Sequence, residues 1–242
     1  FEYHRGTLTS MGRNKKGNRK SELAMMDLEL LSVLAQEKGV SYPKDELDRM
    51  WKIVLLNQFH DILPGSAIHE VYEVTKKEYE ELLSEAHELI GERTKALAGE
   101  GDGITVFNTL GFTRDDVVRL PEGCNAEALE DANGVVYPVQ HTKDGAVAAV
   151  KSLPSKGSRV YKKTAMPKDT QTEWYSIENT IGNKTLETPF YTVIFDENGM
   201  IARLYDKKND REVLKEGQKG NRMVMYEDKP MCFDNWDIDM YY

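Results

Sequence analysis

The chain has little cysteine. There are two in 242 residues, Cys124 and Cys232, far apart and without metal-ligand spacing. That excludes a disulfide framework, and two free thiols fit a reducing compartment, which points to the cytoplasm. Long apolar runs are missing too. No stretch approaches the roughly 18 residues that span a bilayer, and no signal-peptide pattern is seen, so no membrane partner is expected. Positive charge is in the minority, with 32 Lys and Arg against 41 Asp and Glu and a net charge of -9. This argues against a nucleic-acid-binding body, and the one basic run, "RNKKGNRK" from Arg13 to Lys20, reads as a solvated loop. Several motifs are absent: a Gly-rich phosphate loop, a Cys-x-x-Cys pair, a His-Glu-x-x-His helix and a Gly-x-Ser-x-Gly elbow. Nucleotide binding, structural zinc and serine hydrolysis all lose support.

What is there divides into two halves. Hydrophobic content is 40% and charged content 30%, as in ordinary soluble proteins, and the length allows one or two domains. Up to about residue 100 the apolar residues recur at helical spacing. A first stripe runs from Ser21 through Leu23, Met26, Leu30, Val33 and Leu34, and Gly39 closes it. Pro43, Asp45 and Glu46 suit a helix start, and Leu47, Met50, Trp51, Val54, Leu55 and Phe59 form the second stripe. Ser66 is a reasonable N-cap for the third, which continues from Ile68 to Ala98 and has a length of about 45 Å at ~1.5 Å per residue. Three amphipathic helices with short connections predict an up-down-up bundle.

The glycines and charges of "AGEGDG" (Ala98 to Gly103) mark a linker, after which the period changes from 3.6 to 2. "ITVFN", "DVVRL", "VVYPV", "AVAAVK", "EWYSIEN", "FYTVIFD" and "MIARLYD" are short runs rich in β-branched and aromatic residues. Asn198-Gly199 predicts a hairpin, and the polar stretch from Leu153 to Gln171 reads as a loop between two β subunits. The fold class is therefore α+β multidomain: a three-helix bundle followed by a mostly antiparallel, incomplete β-sandwich region. Both ends, "FEYHRG" and "DNWDIDMYY", are apolar and aromatic, so a piece of a longer protein with a partial site is expected. Open strand edges in a cut sandwich favour association, including a homo-oligomer, or local disorder.

The histidines are His4, His60, His69, His87 and His141. His69 and His87 read as surface positions on the third helix, and His141 has no nameable partner. His60 and Asp61 lie side by side in "LNQFHDILPGS", and the residues alone leave two readings. In one, His60 sits at the negative end of the second helix and Asp61 belongs to the turn. In the other, the helix break presents both to a cleft, where imidazole binds a metal and carboxylate binds hydroxyls. A catalytic zinc needs about three protein ligands, so one histidine would be a partial set.

"LNQFHDILPGS" resembles the signature at the start of the middle domain of the glycoside hydrolase family 38 α-mannosidases. "EYHRGTLTS" followed by "RNKKGNRKSE" resembles the segment that leaves the catalytic domain in the bacterial-type members. "GNRMVMYEDKPMCFDNWDID" is similar to the later "EDKP…WDID" block, and the three occur in the family's order. The resemblance implies a tail of the catalytic domain with its connecting loop over 1–20, the bundle over 21–100, a small β domain over 101–165 and the start of a large β-sandwich over 166–242. It also implies a retaining, zinc-dependent hydrolysis of mannose-containing oligosaccharides. One carboxylate is nucleophile, a second is acid/base, and zinc grips ring hydroxyls. His60 is then a zinc ligand and Asp61 a substrate-binding carboxylate. No catalytic residue falls in the chain, the nucleophile and acid/base lying upstream. Glu2 reads as the end of a strand, with a place close to the acid/base region as the second reading. Trp236 either stacks on a sugar face or fills a β core. An isolated chain of this kind is expected to be inactive. The rival class is a non-catalytic carbohydrate-binding or scaffolding module, with an exposed aromatic platform and a His60 that faces solvent without partners.

Overall fold

The computed structural model describes residues 4–167, 184–233 and 235–239. They form α+β structure in two compact units, one containing 4–167 with 229–239 and the other 184–228.

In the first unit three helices share one core. They are α1 (Gly12–Ala35), α2 (Lys44–Asn57) and α3 (His69–Ala98). Their inward positions recur every three to four residues: Ala24, Met25, Leu28, Leu31 and Ala35 on α1, Leu47, Met50 and Val54 on α2, and Tyr72, Tyr79, Leu82 and Ala86 on α3. Burying side chains of this size contributes roughly 1.5–3 kcal/mol each. Asp45 and Glu46 sit in the first turn of α2, at the positive end of its dipole. Contacts fix the directions. Arg93 Nε donates to Ser32 Oγ (3.2 Å), and a Cβ on Gly17 would lie 2.6 Å from the Tyr79 ring, so α1 and α3 run the same way. Trp51 Nε1 donates to Glu29 (2.7 Å) and Gln58 Nε2 to Asn18 (3.1 Å), so α2 runs the opposite way.

Helix boundaries differ from the sequence reading at three places. The first helix begins at Gly12, not Ser21, so the basic run from Arg13 to Lys20 is helical rather than a loop. The second ends at Asn57, before Phe59 and His60. The third begins at His69 with Ile68 as N-cap, and Ser66 does not cap it. No described helix is long and apolar enough to cross a membrane.

The unit continues into a six-stranded antiparallel sheet of order β1-β6-β3-β4-β5-β2. Its strands are β1 (Ile104–Asn108), β2 (Arg114–Arg119), β3 (Ala128–Glu130), β4 (Val136–Thr142), β5 (Gly145–Leu153) and β6 (Gly157–Thr164). One face holds the core, with Leu129, Leu153 and Tyr161 fully buried and Ala146, Ala148 and Val150 alternating inward along β5. The stretch read as a loop from Leu153 contains β6, which pairs with both β1 and β3. Asp131, in the β3–β4 turn, accepts from the amides of Asn133 and Val135 (2.9 and 3.1 Å), from Tyr137 Oη (3.2 Å) and from Arg159 (3.3 Å).

The second unit is a four-stranded antiparallel sheet of order β10-β9-β8-β7. It comprises β7 (Thr185–Glu187), β8 (Tyr191–Phe195), β9 (Ile201–Asp206) and β10 (Arg211–Glu212). The predicted hairpin is its centre. Asp196 shapes the Asn198-Gly199 turn by accepting from the amides of Asn198 and Met200 (2.8 and 2.9 Å). The predicted strand "EWYSIEN" lies outside the described residues.

Candidate functional site

The segment between α2 and α3 is a compact run of turns. Phe59 N donates to Leu56 O (3.0 Å), Ile62 N to Phe59 O (2.9 Å) and Gly65 N to Ile62 O (3.2 Å). Gly65 is buried with φ +105°, and a Cβ there would lie 2.8 Å from Ser10 Cβ, so the close approach of the two segments requires glycine. His60 is three positions past the last helical residue, which removes it from the last helical turn where the dipole acts. Its side chain is 75% exposed and that of Asp61 46% exposed, with His60 Nε2 3.5 Å from Asp61 Oδ2. The Phe59 ring, half-exposed, leans on the imidazole at 4.1 Å. The turn therefore brings His60 and Asp61 together and aims both outward, with partners beside them rather than alone.

The backbone beneath them is anchored from two helices. Tyr72 Oη lies 3.3 Å from Asp61 O and 3.2 Å from Ile62 O, and accepts from Ala67 N (3.0 Å). Asn14 Nδ2 donates to Ile62 O (3.1 Å). Lys15 Nζ donates to Leu63 O (2.8 Å), Pro64 O (3.1 Å) and Ser10 O. Burial holds this ammonium below the usual lysine range. Each carbonyl from Asp61 to Pro64 thus receives a side-chain donor. At the start of the turn, Gln58 Nε2 donates to Glu22 (2.8 Å) as well as Asn18, and Asn57 Nδ2 to Glu78 (2.8 Å). The end of the helical layer that faces the turn is a polar network, while Met25, Leu28, Met50 and Leu82 form the apolar core. Sequence reasoning missed these supports. Asn14 and Asn18, four residues apart on α1 and both buried, were the available signal.

The other candidates are placed separately. Trp236 is half-buried in irregular structure, not in a β core, and stacks on His4 (5.2 Å between ring centroids). His69 is exposed beside Glu73, His87 is exposed, and His141 meets Ala126 O through Nε2 (3.0 Å). Glu2 lies outside the described residues. Among the described residues no group of three or more His, Cys, Asp or Glu is placed to hold a metal. The donor set fits zinc only as a fraction, one imidazole with one adjacent carboxylate.

Two family models of glycoside hydrolases match the chain. One describes the α-mannosidase middle domain and matches residues 2–97. The other describes the family 38 C-terminal domain and matches residues 186–242. Human alpha-mannosidase 2C1 is 33% identical over 249 residues, and its mouse counterpart 32%. Alpha-mannosidase G of Dictyostelium discoideum is 26% identical over 286 residues. Each alignment covers 100% of the chain, which spans 22% of the two mammalian proteins and 25% of the amoebal one. An alpha-mannosidase structure from Enterococcus faecalis shares the fold over 86% of this chain and 29% of its own, with TM-score 0.59 and 20% identity. The chain belongs to glycoside hydrolase family 38, the family of these α-mannosidases.

Proposed function

We propose that the protein containing this chain is a zinc-dependent, retaining α-mannosidase that removes terminal α-mannosyl residues from glycans. The chain contributes the middle three-helix bundle, helical from Gly12, together with a small β domain and part of a β-sandwich region. His60 supplies one zinc ligand and Asp61 accepts hydroxyls of the mannose ring. The bound cation supplies Lewis acidity at those hydroxyls. The nucleophile and the acid/base lie outside the chain, so the chain alone has no turnover. Two free cysteines support a cytoplasmic protein.

The observation that supports the site assignment is the pairing of exposure with anchoring. Two polar side chains stand out from a turn whose backbone is fixed at four consecutive carbonyls. A hydrated surface turn needs no such fixing. A site that grips a ligand gains from it, because an ordered donor loses less entropy on binding.

The test is Ala at His60 and Asn at Asp61 in the full-length protein, assayed on an α-mannoside with zinc content measured in parallel. His60→Ala is expected to lose bound zinc and with it most of the activity. Asp61→Asn is expected to keep zinc and lose about 10–100-fold in kcat/KM, the worth of one charge-assisted hydrogen bond of ~1.5–3 kcal/mol. A His60→Ala protein with full zinc and full activity excludes the ligand role.

A further inference from the structure

Lys15 stands apart from the basic run that contains it. Arg13, Lys16, Arg19 and Lys20 are exposed, whereas Lys15 is half-buried. Its ammonium faces three backbone oxygens, those of Ser10, Leu63 and Pro64, rather than a carboxylate. An ammonium has three protons at tetrahedral angles and suits three converging acceptors, a geometry that a planar guanidinium does not match.

The backbone on both sides is shaped to bring those oxygens together. Met11, directly after Ser10, has φ 50°, a left-handed conformation that residues with side chains adopt rarely. On the other side, Gly65 allows the turn to lie against Ser10. Ser10 also reaches a third segment. Its Oγ lies 2.8 Å from Gly6 O and 3.2 Å from Asn235 O, and Gly6 N donates to Trp236 O (3.0 Å).

We propose that Lys15 is a positioning residue for His60 and Asp61: its ammonium fastens the Leu63 and Pro64 carbonyls to Ser10 and, through Ser10, to the segment that carries Trp236. The inference rests on the roles given above to His60 and Asp61. Other side chains hold Asp61 O and Ile62 O, so Lys15 governs the second half of the turn, the part that leads on from the His-Asp pair. Without the ammonium two turn carbonyls lose their donor, and the turn rocks about its Tyr72 and Asn14 contacts.

The experiment uses the full-length protein with Lys15→Met, read by amide hydrogen exchange and by kinetics on an α-mannoside. Residues 59–66 are expected to exchange at least about tenfold faster while residues 47–56 of α2 keep their protection. With this, kcat/KM falls and zinc is stripped faster by a chelator. Lys15→Arg is expected to restore only part of the protection. Unchanged exchange over 59–66 overturns the proposal. So does faster exchange with unchanged kcat/KM and zinc retention, because the turn then moves without consequence. If the Lys15→Met protein does not fold, Gly65→Ala, which pushes Ser10 away and leaves the charge in place, is judged by the same readouts. Failure of the site assignment itself is seen separately, in His60→Ala, and leaves the exchange result standing.

Discussion

Tyr79 offers a risky test of the helical packing, because removing a polar group from it is expected to stabilise the protein. The residue is 4% exposed, its ring lies under Gly17, and its hydroxyl has no hydrogen-bond partner among the described residues. In the unfolded chain water satisfies that hydroxyl. In the folded chain the missing bond costs about 1–3 kcal/mol. Tyr79→Phe keeps the ring against α1 and deletes only the oxygen, so it is expected to gain about that amount. For a chain of this length each kcal/mol moves Tm by roughly 2–4 °C, which gives a rise of about 2–12 °C. The pH dependence adds a second signature. Burial, reinforced by the carboxylates of Glu78 and Glu22, pushes the Tyr79 phenol well above its ordinary value of 10.0. A group whose pKa is raised on folding contributes stability below its unfolded pKa and loses it as pH rises past that value. Wild type should therefore weaken above pH ~10 through a contribution that the variant lacks, and the gap in Tm should widen there. The assay is thermal melting followed by far-ultraviolet circular dichroism at neutral and alkaline pH. A Tyr79→Phe protein that melts at or below the wild-type temperature at neutral pH, with parallel alkaline slopes, refutes the reasoning.

Two further outcomes follow, one from the helical core and one from the sheet. Met50 is fully buried in the helical core, so Met50→Ala is expected to cost about 2–5 kcal/mol in urea denaturation with an unchanged slope, and a loss below 1 kcal/mol would mean the core closes over the gap. Asp131 titrates in the opposite sense to Tyr79. Burial pushes its carboxyl up, but the amides of Val135 and Asn133, the Tyr137 hydroxyl and Arg159 together hold it below the ordinary 3.8. Its contribution is present above the unfolded pKa and disappears as pH falls from about 4 through the lower folded value. Asp131→Asn should remove that acid-side slope from equilibrium unfolding, and an unaltered slope would show that the carboxylate does not control it.

What the sequence made legible depended on how each element buries itself. The stripe Leu47, Met50 and Val54 announces α2 because apolar side chains fill its inward face, and the hairpin around Gly199 combines alternation with a turn dipeptide. The start of α1 was hidden because its first turns pack through Asn14, Gly17 and Asn18 and give no apolar period. Strand β6 was hidden because its one buried residue, Tyr161, sits between exposed Val160 and Lys162, so apolar residues do not alternate along it. Strand β3, with three residues, is too short for any alternation to register. At the candidate site, the residues themselves drew notice to His60 and Asp61, and the family resemblance gave them roles. Apart from the Asn14–Asn18 spacing, the supports beneath them were illegible. Lys15 binds backbone oxygens 48 and 49 residues away, a pairing that involves no side-chain partner and leaves no local pattern.

The most direct measurement is anomalous scattering at the zinc edge from crystals of the full-length protein. The account predicts a peak about 2.1 Å from a ring nitrogen of His60, with Asp61 beside it and the remaining ligands drawn from residues beyond this chain. A zinc peak bound wholly by other side chains, with the His60 ring turned away from it, would contradict the account.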